Sequence, residues 1–164
     1  MSTLIRGNAV VADDWLELDD ETAVPSGASV IVSLARWQSG REALAAAARV
    51  GLRLPNTEDI DALWPLLRER PLIALQFPKS SDGRAFSQAR LLREQHGFDG
   101  EIRATGDVQR DQLQFMQRCG FDAFALRADQ NVDDCLKALR DFDLAYQHAA
   151  RADLPLVWQL RRGS

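Results

Sequence analysis

From residue 28 onward, short runs of β-branched and aliphatic residues alternate with longer stretches that place an apolar side chain every three or four positions. Residues 28–35 (ASVIVSLA) read as a buried strand, and the alanine-rich residues 40–49 as a helix. A short strand is expected over 50–54. A helix then runs from a cap at Asn56 or Thr57 to about Glu69, with Ile60, Leu63, Leu66 and Leu67 inward and a bend or early break at Trp64-Pro65. The clearest buried strand is 72–77, stopped by Pro78. Ser81 or Asp82 then caps a helix through His96, closed by Gly97, with Ala85, Ala89 and Leu92 as its inward stripe. Residues 101–105 form the next strand, and the alternation of Glu101 and Arg103 with Ile102 and Ala104 gives it one wetter face. Asp107 opens a helix over 108–119 that buries Leu113, Phe115 and Met116. After Gly120 come a strand over 121–126 and a last helix over about 132–147.

The pattern predicts an α/β fold of about five βα units, mainly parallel, because short right-handed crossovers return the chain in one direction. A flavodoxin-like open sheet and an incomplete (β/α) barrel share this periodicity, so both remain open. Residues 8–18 read as two short strands joined by Asp13-Asp14, giving a short N-terminal hairpin or an edge addition. Leu154, Leu156, Val157, Trp158 and Leu160 make the segment after residue 151 too apolar for a free tail. The expected division is 1–27 as hairpin or edge strands, 28–150 as the α/β domain, and 151–164 as a tail docked on this domain or on a partner.

Composition narrows the function classes. A net charge of −4 gives no general attraction to nucleic acid or an anionic membrane. No run approaches the length of a membrane span, and the N-terminal residues lack a long apolar segment, which together predict a cytoplasmic protein. Lys79 and Lys137 are the only lysines among twenty basic residues, and arginine is the side chain suited to bidentate contact with oxyanions or an acidic partner. Arg68, Arg70, Arg90 and Arg93 fit solvated helix faces or a docking surface. Cys119 and Cys135 are too far apart for a CxxC motif, and His96 and His148 are isolated, so no metal set is predicted. Trp15, Trp37, Trp64 and Trp158 are spread along the chain as packing anchors are.

Two clusters follow predicted strands, where parallel α/β folds hold their ligands. Lys79, Ser80, Ser81, Asp82, Gly83 and Arg84 could hold a small anion through backbone amides and two cations. Thr105, Gly106, Asp107, Arg110, Asp111 and Gln112 form the second, with Asp107 and Asp111 on one helical face and Arg110 near both. Arg103 is a further anion candidate or a buried ion-pair partner. The plainer reading of both clusters is helix capping. No Walker loop, dinucleotide fingerprint, iron-sulfur cysteine set or recognisable flavin or haem motif is present, so no cofactor is evident and turnover is left open.

Residues 82–124, DGRAFSQARLLREQHGFDGEIRATGDVQRDQLQFMQRCGFDAF, resemble the core of a bacterial family of uncharacterised small proteins, with GLRLPNTEDID extending the likeness to 51–127. Members are described as oxidoreductases involved in sulfite reduction and are encoded beside the assimilatory sulfite reductase haemoprotein. The resemblance implies that pathway, and together with the missing cofactor motifs and the apolar tail it leads to the expectation of an accessory or interaction protein acting with that reductase or its electron supply. Two alternatives stand beside it: an enzyme or sensor binding sulfite, sulfate or a phosphorylated metabolite, and an oxidoreductase that recruits flavin through irregular contacts.

Overall fold

The computed structural model describes residues 3–150, with side chains as far as Asp141, so the expected docking tail at 151–164 lies outside the described residues. Eight strands form one sheet: β1 Thr3–Arg6, β2 Ala9–Val11, β3 Trp15–Glu17, β4 Ser29–Ser33, β5 Arg49–Leu54, β6 Leu72–Phe77, β7 Glu101–Gly106 and β8 Ala123–Leu126. Their order is β2-β1-β8-β7-β6-β5-β4-β3. From β3 to β8 each strand lies parallel to the next in sequence, while β1 runs antiparallel to both β8 and β2.

Six helices accompany the sheet: α1 Leu34–Ser39, α2 Arg41–Leu44, α3 Ile60–Leu67, α4 Arg84–Arg90, α5 Leu113–Cys119 and α6 Val132–Ala150. Because every crossover steps to the neighbouring strand in the same sense, right-handed connections place all of the helices on one face. A flavodoxin-like sheet would reverse its strand order partway, and this one does not. The sheet instead curls into a half-barrel, mixed but mostly parallel, with more strands than five βα units supply, since β1, β2 and β3 precede them.

One continuous core lies under the helices. Val30, Val32, Leu52, Leu54, Ile73, Leu75, Phe77, Ile102, Phe124 and Leu126 pack there with Ile60, Leu67, Ala85, Ala89, Leu92, Leu113, Met116, Cys135 and Leu139. The alternate strand positions point to the concave side, where Trp15, Ile31, Leu72 and Ala74 form a separate small cluster. Arg103 also belongs to that side and is only 3% exposed, so the face of β7 read as wet is the inside of the curl.

The N-terminal strands explain the curl. A hairpin does form, but from β1 and β2 around Gly7 and Asn8. The two strands flanking Asp13-Asp14 do not pair with each other and lie on opposite edges of the sheet. Only Ala12, Asp13 and Asp14 link them, so Val11 and Trp15 are at most about 14 Å apart. Eight strands laid flat would hold their edges about 34 Å apart. The linker therefore straps the curled sheet nearly shut, and Asp13 meets the Arg103 guanidinium at 2.9 Å from across the interior. Glu101 pairs with Arg103 at 2.9 Å and with Arg6 at 2.6 Å, which completes the chain of charges.

Several local expectations change. The alanine run over 40–49 gives only α2 and a turn before β5, because the strand claims Arg49. Asp59, not Asn56 or Thr57, caps α3 by accepting from the amides of Asp61 and Ala62. Pro65 lies within that helix. The helix after β6 continues beyond α4 as a π-helical turn, Leu91–Gln95. This turn buries Arg93, which donates to the carbonyls of Gly120, Phe98 and Gly100 at 2.7 to 2.9 Å and is not a solvated or docking side chain. Gly120, with φ +117°, ends α5, and a Cβ there would lie 2.4 Å from Arg93 Cγ. Arg70 lies over the Trp37 ring at 4.3 Å. Phe115, expected inside, is 44% exposed. Leu113 and Met116 occupy the inward stripe of α5, which leaves residue 115 on the opposite side of so short a helix.

The strap makes a direct prediction. Removing one partner of a buried ion pair costs more than removing both. Asp13→Ala is expected to lower the unfolding free energy by about 1–3 kcal/mol, discounted because Asp13 keeps some solvent contact. Arg103→Met in the same background should recover much of that loss. Urea unfolding of the two single variants and the double variant measures this, and additive losses would mean that the strap and β7 are uncoupled.

Candidate functional site

The C-terminal ends of β6, β7 and β8 lie side by side, and the loops leaving them carry most of the residues singled out in the sequence. β6 stops at Pro78, which has no amide hydrogen to continue the ladder. β7 ends in Gly106 at φ +89°, where a Cβ would sit 2.4 Å from the Phe77 carbonyl oxygen. That close approach lets the Asp107 amide donate to the same carbonyl at 2.8 Å. The loop after β7 is thereby folded over the end of β6.

The Asp107 carboxylate sits at the centre of the resulting clasp. It accepts from the Gln109 side-chain amide at 2.9 Å, the Arg127 guanidinium at 2.6 Å and the Ser80 backbone amide at 2.7 Å. These donors, led by Gln109 and Arg127, hold its pKa down to about 2. Arg127, the first residue after β8, also pairs with Asp129 and is held charged by both carboxylates. Gln112 donates to the Ser80 carbonyl and ties the start of α5 to the same loop. Asp107 precedes that helix, so it does not share a helical face with Asp111, and its partner is Arg127 rather than Arg110.

A groove of about 660 Å³ opens between these ends, lined by Gln76, Phe77, Pro78, Gly106, Asp107 and Arg127. Its floor is apolar and its charged wall is the Asp107–Arg127 pair. Thr105 lies beside this floor on the concave face, its hydroxyl 3.3 Å from the Leu75 carbonyl oxygen.

The other candidates lie apart from the clasp. Asp82 accepts from the Arg84 amide at 3.2 Å and from its guanidinium at 3.1 and 2.7 Å. Those bonds push the Asp82 pKa well below the usual carboxylate range. Gly83 stands at the N-cap of α4 without a side-chain cap, and Lys79 and Ser81 are exposed. Arg110 and Asp111 start a 3-10 turn, Arg110–Gln112, and form a long ion pair at 3.5 Å. The groove of about 390 Å³ beside them includes Asp134, Lys137 and Asp141 from α6. Arg103 belongs to the sheet interior and its charge is committed to Asp13 and Glu101.

The structure thus brings together Ser80, Gly106, Asp107 and Gln112, and adds Gln109, Arg127 and Asp129, which the sequence reading did not select. Arg127 was the recoverable one, since it directly follows a parallel strand two neighbours from β6. Cys119 and Cys135 are both buried, and burial pushes their thiols up in pKa. Among the described residues no group of three or more His, Cys, Asp or Glu side chains is placed to hold a metal ion. No described helix is long and apolar enough to cross a membrane.

The clasp predicts two outcomes. Gly106→Ala combines an unfavourable backbone angle with contact against the Phe77 carbonyl and should destabilise by about 2–4 kcal/mol in chemical denaturation. Asp107→Asn should lower stability at neutral pH. Because the folded pKa lies below the unfolded value, the ionised carboxylate stabilises above about pH 4, and this contribution is lost as pH falls toward 2. The difference in melting temperature between wild type and Asp107→Asn should therefore close over that interval, and a gap that persists at pH 2 would assign the effect to geometry alone.

The model of a family described as a bacterial protein of unknown function (DUF934) matches residues 51–157, well over half of the chain and all of the clasp. No curated protein matches it.

Proposed function

We propose that this chain, which belongs to that bacterial family of unknown function, is an accessory protein of assimilatory sulfite reduction that docks on the sulfite reductase or on its electron supply. The resemblance over residues 51–127 supplies the pathway. The observation that carries the docking part is the mutual pairing of charges along the C-terminal rim. Arg84 is committed to Asp82, and Arg127 to Asp107 and Asp129.

General acid-base chemistry at neutral pH needs a group that titrates there. Asp82, Asp107 and Asp129 are instead fixed as carboxylates by their arginine and amide partners. Fixed, paired charges around an apolar floor suit recognition of another surface. Beside Arg110 the groove carries Asp111, Asp134 and Asp141 against Arg110 and Lys137, one negative charge in excess. That balance repels a free oxyanion and attracts a basic protein surface. At Arg84 an anion would have to displace the Asp82 carboxylate from two guanidinium hydrogen bonds.

Affinity purification of the tagged chain should retain the native reductase or its electron donor. A deletion strain should grow on cysteine or sulfide and poorly on sulfite. Charge reversal with Asp111→Lys and Asp134→Lys is expected to weaken the association about tenfold and reduce its salt dependence. No association, together with normal reductase activity in the deletion strain, overturns the proposal. Calorimetry with sulfite and sulfate should be flat. Heat that disappears in Arg84→Ala and Arg110→Ala would make the rim an oxyanion site instead.

A further inference from the structure

The end of the sheet opposite the clasp carries another groove, of about 350 Å³, where β5 and β6 begin beside the α1–α2 corner. Its lining includes Trp37 of α1, Arg41 of α2 and Arg70, two residues before β6. Leu44, Ala47 and Ala48 line it as well and present only hydrocarbon.

The Trp37 indole holds two cations. The Arg70 guanidinium lies over its ring at 4.3 Å and that of Arg41 at 5.2 Å. A ring face attracts a cation but carries no net charge, so stacking on it gathers two positive charges and neutralises neither. Among the described residues neither arginine forms an ion pair with a carboxylate, although Glu42 and Glu69 adjoin them in sequence. Arg49, the third arginine of the groove, is matched: it pairs with Asp14 at 3.0 Å and donates to Ser29 Oγ at 2.9 Å. Burial, reinforced by the Arg41 charge, pushes the Arg70 pKa down against the attraction of Glu69. Trp37 Nε1 and Arg70 Nε are shielded from solvent and have no hydrogen-bond acceptor, which leaves their N–H dipoles unopposed beside the two charges. On the rim Arg84 and Arg127 each have a carboxylate, and here two arginines have none.

The groove therefore joins uncompensated positive charge to an apolar lining, and that combination selects a ligand. An inorganic oxyanion would meet the charge but give up its hydration with nothing to lay on the methyl groups. A neutral apolar molecule would cover the guanidiniums and leave them unpaired. A carboxylate fits the planar guanidinium fork, and a hydrocarbon body attached to it gains from burial against the alanines.

We propose that this groove binds a small organic carboxylate, with its head at Arg41 and Arg70 beside Trp37 and its hydrocarbon body on Leu44, Ala47 and Ala48. The site is separate from the C-terminal rim, and its occupancy does not depend on the docking function.

The proton–nitrogen correlation spectrum of the full-length chain tests this through the Trp37 indole N–H, assigned with Trp37→Phe. Sodium hexanoate, titrated at constant ionic strength, should shift that signal saturably and leave the Trp64 indole in place. Acetate, with no body to bury, should bind at least about tenfold more weakly, and sulfate should leave the signal unmoved. Arg41→Gln, at an exposed position, and Arg70→Gln should each weaken hexanoate binding about tenfold. Arg70→Lys, which keeps the charge but loses the planar fork, should recover only part of that loss. A Trp37 signal that hexanoate does not move overturns the proposal, as does an equal response to sulfate or a response unchanged in Arg41→Gln. A shift with a leucine-flanked glutamate peptide but none with hexanoate would give the groove to a protein partner's side chain and overturn it equally.

Discussion

A cation on the inner face of a curled sheet constrains everything around it. Arg103 projects from the middle of the eight-strand sheet and is almost wholly removed from water, a position tolerable only with carboxylates at hand. Glu101 supplies one from the same strand, and Asp13 supplies the other from the linker between the two sheet edges. Such a network adds little net stability over an apolar replacement, because desolvation offsets much of the attraction. It does fix where the linker lies. By holding Asp13 over β7, Arg103 fixes where the three-residue linker crosses the interior of the half-barrel that the linker itself straps together.

That curvature has a consequence at the C-terminal rim. The sequential winding puts the ends of β6, β7 and β8 beside one another, and the close approach of Gly106 to Phe77 folds one loop onto the next. Asp107 then satisfies donors from three segments that are remote in sequence: Ser80 after β6, Gln109 after β7 and Arg127 after β8. The rim is consequently stiff and electrically balanced. A site of this kind reads shape and fixed dipoles more readily than it moves protons, and the docking proposal rests on that. The acidic bias beside Arg110 gives the proposed docking a preferred sign.

Legibility was uneven, and the unevenness has physical causes. Strands such as β6 were plain because burial on both faces demands an uninterrupted apolar run. Asp107 and Gly106 could be singled out because they fall where a predicted strand gives way to a helix, a place where ligand binding and helix capping use the same residue types. Their partners were not visible. Arg127 looks like any surface arginine until β8 is placed two strands from β6, and Asp13 looks like a turn residue until the sheet closes above it. Arg93 is a similar case, a charge in a helical repeat that reads as solvated although the π-helical turn carries it inside to cap the carbonyls of the Gly120 and Phe98 corners.

The amino-acid order alone determined the alternation of strand and helix, the parallel direction of the central strands and the two strand-to-helix junctions where the candidate site lies. These follow from local periodicity, turn chemistry and the handedness of short crossovers, all of which act within a few tens of residues. The tertiary structure decided between open sheet and half-barrel, sent β2 and β3 to opposite edges, and chose which charges pair. Those outcomes depend on contacts between segments as far apart as Asp13 and Arg103, for which periodicity carries no signal and only the closed geometry supplies a partner.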